Sequence, residues 1–447
     1  MTGHSRKNSA LPVRKDARIA GFTMQTPHVR SPDPLVAMLA LSAAFLALCL
    51  WRITIPTAPF FDEIHYLPAA RAMLDGSQWM NAEHPPLGKF LIAGALALFG
   101  DSPLGWRIVP ALSGAISLFA LGRALWFASA SRFATLAYLI LLATGFFLFV
   151  HARIAMLDGI MVAFVSIALW QFARAIRAPE EGRWRLALTG LAIGAAMATK
   201  WNALPLAIVP GLAFFFVRLS AGRRRLLVSR RGAPVPGISL LEAGLWLGLV
   251  PLAIYALSFA PLFWMGEHPF GDRGLFGIQA MMLELQQSVK ATHNYQSRWD
   301  EWLINWRAIW YLYEPVDGAQ RGVLLIGNPL TMLLGLPAML WCGWIAATRQ
   351  RKDALAIVIL FAVSLGFWIV ASKPTQFYYH YFLPSCFLLA ALALALAALR
   401  NAGWTKLAWV TLIASTAVFA WFYPILSAAP LDGPESFATW MWLDSWR

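Results

Sequence analysis

The chain alternates long apolar runs with short polar connections. Clear runs lie near 35–53, 104–127, 133–151, 155–173, 238–264, 323–347, 354–371, 381–399 and 406–426. A helix of roughly 17–25 apolar residues crosses a hydrocarbon core of about 30 Å, so each run predicts a membrane-spanning helix. The stretch 186–217 is interrupted by Lys200, Trp201 and Asn202, which predicts either one long span or two short ones meeting at a turn. Leu87–Phe99 is apolar but short for a crossing and is stopped by Gly100-Asp101-Ser102-Pro103, so a helix along the membrane surface is expected there.

Charge decides the ambiguous stretch. Arg174, Arg177, Arg183 and Arg185 precede it, and Arg218, Arg223, Arg224, Arg225, Arg230 and Arg231 follow it. The positive-inside bias keeps both clusters cytoplasmic, which takes two crossings there and eleven in all. On that path 23 of the 36 Lys and Arg residues lie inside with 6 acidic residues, leaving 13 basic and 16 acidic residues outside.

The expected architecture is an all-α polytopic membrane protein with about eleven transmembrane helices. Residues 1–33 are read as a cytoplasmic tail followed by a retained anchor, 34–426 as the transmembrane domain and 427–447 as a non-cytoplasmic tail. Two outer loops are long, 54–103 and 265–322, and both are expected to hold interfacial helices. In the second, Trp299, Trp302, Trp306, Trp310 and Tyr313 recur at three- and four-residue steps, predicting an aromatic helical stripe that anchors in the interface or walls a substrate.

Composition narrows the class. The 447 residues are 59% hydrophobic and 13% charged, with no soluble domain left over. The net charge of +14 is scattered in clusters between apolar runs and forms no single basic face, so no nucleic-acid partner is expected. Cys49, Cys342 and Cys386 each lie in an apolar run, giving neither a disulfide framework nor a CxxC site, and no metal is expected.

The residues that carry chemistry gather at the outer ends of the runs. Asp62 and Glu63 follow the first span among bulky apolar side chains, a costly placement unless used. Neighbours on a helix do not share a face, so the two need not share a role. His84-Pro85-Pro86-Leu87-Gly88-Lys89 adds an imidazole and an amine, although a helix-start turn with a snorkelling lysine explains much of it. Three outer turns each carry one cation against the charge bias: Arg153 in Arg153-Ile154-Ala155-Met156-Leu157-Asp158, Lys200, and Lys373. Their convergence points to a bound anion such as a lipid phosphate, with an Arg153–Asp158 ion pair as the structural alternative. Past Lys373 come Tyr379, His380 and Tyr381, and the second loop adds His268, His293 and Tyr295. Carboxylates beside cations suit transfer of a group from a lipid phosphate to a hydroxyl: one carboxylate acts as base, and the cations neutralise the departing phosphate.

Taken in order, Asp62-Glu63, His84-Pro85-Pro86-Leu87-Gly88-Lys89, Arg153 to Asp158, Lys200-Trp201, Thr292-His293-Asn294-Tyr295-Gln296-Ser297-Arg298-Trp299, Gly327-Asn328-Pro329-Leu330 and Tyr379-His380-Tyr381-Phe382-Leu383-Pro384 resemble blocks of the dolichyl- or polyprenyl-phosphate-mannose protein mannosyltransferases of the GT-C superfamily. The resemblance implies a GT-C fold, a polyprenyl-phosphate-mannose donor, a protein Ser or Thr acceptor, and inverting transfer without metal or cofactor at the outer face of a bacterial inner membrane. It implies Asp62 as base, Glu63 as an acceptor or structural contact, and Arg153 facing the lipid phosphate. Lys200, Lys373 and His380 complete the expected phosphate site, and His84, Lys89, Asp158, His293, Tyr295 and Tyr381 are expected acceptor or loop contacts. His293-Asn294-Tyr295 replaces the family's usual His-Pro-Tyr, and the β-trefoil module of eukaryotic members is absent. Asp62-Glu63 with Pro85-Pro86-Leu87 is also similar to aminoarabinose transferases acting on lipid A, which makes that donor or an envelope-glycan acceptor the alternative. A secondary transporter is the distant one. Dimer formation or translocon association is left open.

Overall fold

In hydrocarbon every backbone N–H and C=O needs an internal partner, so apolar sequence takes the helical form wherever it is long enough. The computed structural model describes residues 32–222, 225–266, 273–288, 293–371 and 373–447. The basic residues of the first tail, His268 and Thr292 lie outside the described residues.

The described residues open with α1 (Leu35–Leu50), α2 (Glu63–Leu74), α3 (Leu87–Phe99) and α4 (Pro103–Ser129). The Ser102 side chain accepts from the Gly105 amide with Pro103 at the first position, a strong helix start that separates α3 from α4. Next come α5 (Arg132–Ala143), α6 (Phe147–His151), α7 (Leu157–Arg177) and α8 (Gly182–Thr199). Extended backbone at Lys200 ends α8, and the chain turns into α9 (Leu204–Ala207) and α10 (Val209–Ser220), so the ambiguous stretch is two helical segments. α11 (Leu240–Gly244), a π-helical turn and α12 (Val250–Leu257) form the next, and α13 (Gly274–Ser288) and the short α14 (Trp299–Leu303) follow. The chain closes with α15 (Pro329–Arg349), α16 (Lys352–Val370), α17 (Phe382–Asn401) and α18 (Thr405–Leu426).

Among the described residues, eight helical stretches are long and apolar enough to cross a membrane, while α1, α3 and α5 are apolar but shorter. In the Tyr378–Asn401 stretch 83% of the apolar window is buried against 22% in Leu240–Trp264, so α17 is the central helix and the α11–α12 stretch a peripheral one. α3 lies hard against α7 and α8: a Cβ on Gly88 would meet Leu157 Cδ2 at 2.8 Å and Thr199 Cγ2 at 2.9 Å.

The second long loop departs from expectation. The aromatic stripe is not one helix, because the left-handed backbone at Asn305 (φ 59°) follows α14 and the chain then extends. β1 (Ile309–Val316) pairs antiparallel with β2 (Ala319–Leu325), so Trp302 lies on a helix while Trp310 and Tyr313 lie on a strand. The two-residue turn is Asp317-Gly318 with φ 49° and 74°, the mirror-image turn whose twist suits a hairpin. The apolar run read as a span over 323–347 therefore opens with a buried strand end and becomes helix only at Pro329.

The last residues dock on this hairpin. Leu431 bridges Gln320, the Tyr313 hydroxyl donates to the Pro434 carbonyl at 2.8 Å, and Trp446 Nε1 donates to the Asn305 carbonyl at 2.8 Å. Thr57 of the first loop donates its amide to Asp317 at 2.9 Å. Both long loops and the C-terminal tail thus share one end of the bundle.

Candidate active site

Asp62 and Glu63 sit at the start of α2 and have opposite fates. Glu63 is fully buried and grips the Arg107 guanidinium with both oxygens at 2.7 Å. It also accepts the amides of Ala155 at 2.9 Å and Phe60 at 3.3 Å. Arg107 in turn donates to the carbonyls of Ile53 at 3.0 Å and Pro56 at 2.7 Å. Every lone pair that a substrate could use is occupied, so the expected catalytic or acceptor role of Glu63 gives way to a brace joining the first loop, α4 and the 153–156 turn. Sequence reading missed Arg107, although an arginine inside an apolar run was a visible flag.

Asp62 is half-buried, and no described side chain hydrogen-bonds its carboxylate. Burial pushes its carboxyl above the usual carboxylate range, Asp158 adds to that rise, and the positive fields of Lys200, His65 and Lys373 oppose it. Phe61, just before it, takes a left-handed conformation (φ 49°) and stacks on Tyr311 with ring centroids 3.9 Å apart.

Asp158 opens α7 and Lys200 ends α8, and they form a buried ion pair with Nζ–Oδ2 at 2.7 Å. The ammonium also lies 5.1 Å from the Tyr379 ring centroid. Asp158 therefore pairs with Lys200, not with Arg153. Lys373 is half-buried, forms no ion pair among the described residues, and is pulled down to about 8 by burial and by Lys200. The buried His380 is stacked on Trp368 at 3.7 Å; its Nδ1 takes the Phe377 amide at 3.0 Å and its buried Nε2 has no partner among the described residues. A buried ring nitrogen without a partner is rare and costly, so a ligand atom there relieves it.

Arg153 is corrected in the same way as Glu63. Its guanidinium donates to the carbonyls of Cys49 at 2.5 Å, Trp51 at 2.8 Å, Arg52 at 3.3 Å and Ser427 at 3.4 Å. It satisfies the orphan carbonyls ending α1 and ties in the last loop, so it has no fork left for a phosphate. Lys89 is likewise consumed: its buried ammonium donates to the carbonyls of Met80 at 3.3 Å and His84 at 2.9 Å and to that of Asn81, locking the turn before α3. Tyr381 is fully buried with its ring parallel to Tyr378 at 6.0 Å, and its buried hydroxyl, like His380 Nε2, has no hydrogen-bond partner among the described residues.

His84 is buried beside Tyr66, and Gln286 of α13 lies 3.2 Å from its Nδ1 while donating to the Glu83 carbonyl at 2.8 Å. Burial and the lysines nearby hold the His84 imidazole well below its ordinary value. His293 is exposed and Tyr295 half-buried, with His293 edge-on to Phe377 at 5.2 Å, so both belong to the rim. No group of three or more His, Cys, Asp and Glu side chains that could hold a metal occurs among the described residues. The structure thus gathers Asp62, Asp158, Lys200, Lys373 and His380 at one end of the bundle, with Tyr66, Tyr311 and Tyr379 within the fields of both aspartates.

The chain is similar to known proteins over most of its length. Residues 83–240 match the model of dolichyl-phosphate-mannose-protein mannosyltransferase, and residues 273–446 match the C-terminal four-transmembrane region of protein O-mannosyltransferase. A polyprenol-phosphate-mannose–protein mannosyltransferase of Mycobacterium tuberculosis is 27% identical, over 92% of this chain and 91% of its own length. An undecaprenyl phosphate-aminoarabinose arabinosyl transferase of Proteus mirabilis is 24% identical over 46% of this chain and 39% of its own length. A protein O-mannosyltransferase complex of S. cerevisiae bound to the sugar donor shares the fold, with a TM-score of 0.80 at 15% identity over 95% of this chain and 93% of that one. With two adjoining family matches that together span most of the chain, on a GT-C fold, this multi-pass membrane protein belongs to the dolichyl-phosphate-mannose-protein mannosyltransferase family.

Proposed function

We propose that this enzyme moves mannose from a polyprenyl-phosphate donor to Ser or Thr hydroxyls of exported proteins, at the outer face of a bacterial cytoplasmic membrane. The observation that carries the reading is Asp62: a half-buried carboxylate with unspent hydrogen-bonding capacity, within the fields of Lys200 and Lys373. Asp62 takes the proton from the acceptor hydroxyl as its oxygen attacks the anomeric carbon. The bond from that carbon to the phosphate oxygen breaks, and polyprenyl phosphate leaves with the electron pair. Attack opposite the leaving group inverts the centre. Lys373, Lys200 and His380 Nε2 meet the developing charge on the phosphate. The donor brings its own leaving group, so the reading assigns no metal and no cofactor. An eleven-crossing path places the basic clusters inside and Asp62 outside.

The test is a donor and acceptor panel with purified enzyme in liposomes. Hexose appearing on Ser/Thr peptides from polyprenyl-phosphate-mannose is the expected result. Product on lipid A and none on peptide would overturn the choice of acceptor.

A further inference from the structure

Phe61 and Tyr311 come from different loops, and the chemistry assigned above uses neither. The left-handed conformation of Phe61 (φ 49°) is disfavoured for a bulky L residue, so its surroundings must hold it. Tyr311 on β1 supplies the hold, with ring centroids 3.9 Å apart and planes 22° from parallel, and Tyr379 meets Phe61 edge-on at 6.4 Å.

Tyr311 is itself fixed. Its hydroxyl lies 3.3 Å from His151 Nε2, and His151 Nδ1 lies 2.8 Å from the Phe147 carbonyl oxygen. A carbonyl only accepts, so Nδ1 carries the proton in the neutral ring and Nε2 accepts from Tyr311. The imidazole stacks on Phe382 at 4.5 Å, which anchors the relay to the central helix. Asp62 therefore stands between two immobilised neighbours, Phe61 under Tyr311 and Glu63 under Arg107. The stack fixes the peptide from which the Asp62 side chain departs.

We propose that Tyr311, keyed by His151, is a positioning residue for Asp62. It acts through Phe61 to hold the carboxylate in its working direction and couples the second outer loop to the base in the first. The proposal rests on Asp62 as base.

The test is a kinetic cycle in liposomes. Tyr311→Leu removes stack and hydroxyl, whereas Tyr311→Phe keeps the stack. A misplacement near 1 Å costs on the order of 100-fold, so Tyr311→Leu lowers kcat by about that factor with donor KM within about twofold. Tyr311→Phe recovers kcat to within about tenfold of the parent, because only one neutral hydrogen bond is lost. In an Asp62→Glu background, whose carboxylate is already displaced, adding Tyr311→Leu lowers kcat by less than about threefold. Additive losses in the double variant, a change confined to KM, or no recovery with Tyr311→Phe overturns the proposal. If Tyr311→Leu does not fold, Phe61→Ala removes the other half of the stack and is read the same way. Wild-type rate in Asp62→Asn would instead sink the base assignment, so the two failures are separable.

Discussion

Two clusters of charge lie side by side at one end of this bundle. In the Glu63–Arg107 and Arg153 cluster, carboxylate oxygens and guanidinium donors meet partners from the protein, most of them backbone. Around the Asp158–Lys200 ion pair, by contrast, capacity is left over among the described residues: the Asp62 carboxylate without a hydrogen bond, the Lys373 ammonium without an ion pair and the His380 Nε2 without a partner. Residue type does not separate the clusters, since each mixes acids with cations. Satisfaction does. A fully satisfied charge holds chain segments together, and an unsatisfied one at the same depth waits for a ligand.

The sharpest way to break that contrast is to neutralise each neighbouring acid. Asp62→Asn is expected to lose on the order of 10²–10⁴ in kcat, with thermal unfolding unchanged, because a general base is worth that much and the side chain holds nothing together. Transfer to a Ser/Thr peptide, measured beside a melting curve, decides it. Glu63→Ala should reverse the pattern. It strands the Arg107 guanidinium in the core and is expected to cost about 3–5 kcal/mol of stability, read as lost folded yield and a lowered melting temperature. A stable, inactive Glu63→Ala enzyme would dissolve the contrast.

Arg153→Met tests the brace more gently. The carbonyls ending α1 lose their donors, an expected loss of about 1–3 kcal/mol, while the donor KM of the folded fraction stays the same. A large rise in donor KM would restore Arg153 to the phosphate site. The smallest effect belongs to Lys373→Met, with donor KM expected to rise about tenfold, the worth of one charge-assisted contact. Here pH gives a second reading. The Lys373 ammonium is lost as pH rises through about 8, so donor affinity falls on that alkaline limb. Asp62 is protonated as pH falls through its raised value, which sets the acid limb. Lys373→Met should erase the alkaline limb alone.

Much of the fold was legible in the sequence. Apolar runs, the break at Lys200 and the Ser102-Pro103 start each reflect local rules of hydrocarbon burial and capping. The missed hairpin was legible too, in Asp317-Gly318 between β-branched and aromatic positions, but the three- and four-residue spacing of the tryptophans outvoted it. Chance agreement with a helical period carries no backbone preference of its own, and the left-handed residue at Asn305 ended the helix early.

The sequence by itself determined that this chain crosses a membrane many times, and it marked which residues at the outer ends could do chemistry. Both follow from composition and spacing, because transfer into hydrocarbon depends on the residues one after another. Only the tertiary structure decided how those charges are divided. Asp62 and Glu63 are neighbours in the chain and chemically alike, yet Arg107, 44 positions on, reaches Glu63 and leaves Asp62 open. Arg153 stood out in the sequence as the likeliest phosphate ligand by its place in a motif, and the carbonyls that occupy it come from Cys49, Trp51 and Arg52, where the first helix ends, and from Ser427, 274 positions away. Hydrogen bonds saturate, so a charge's role depends on what folding has already placed against it, and a linear pattern does not hold that information.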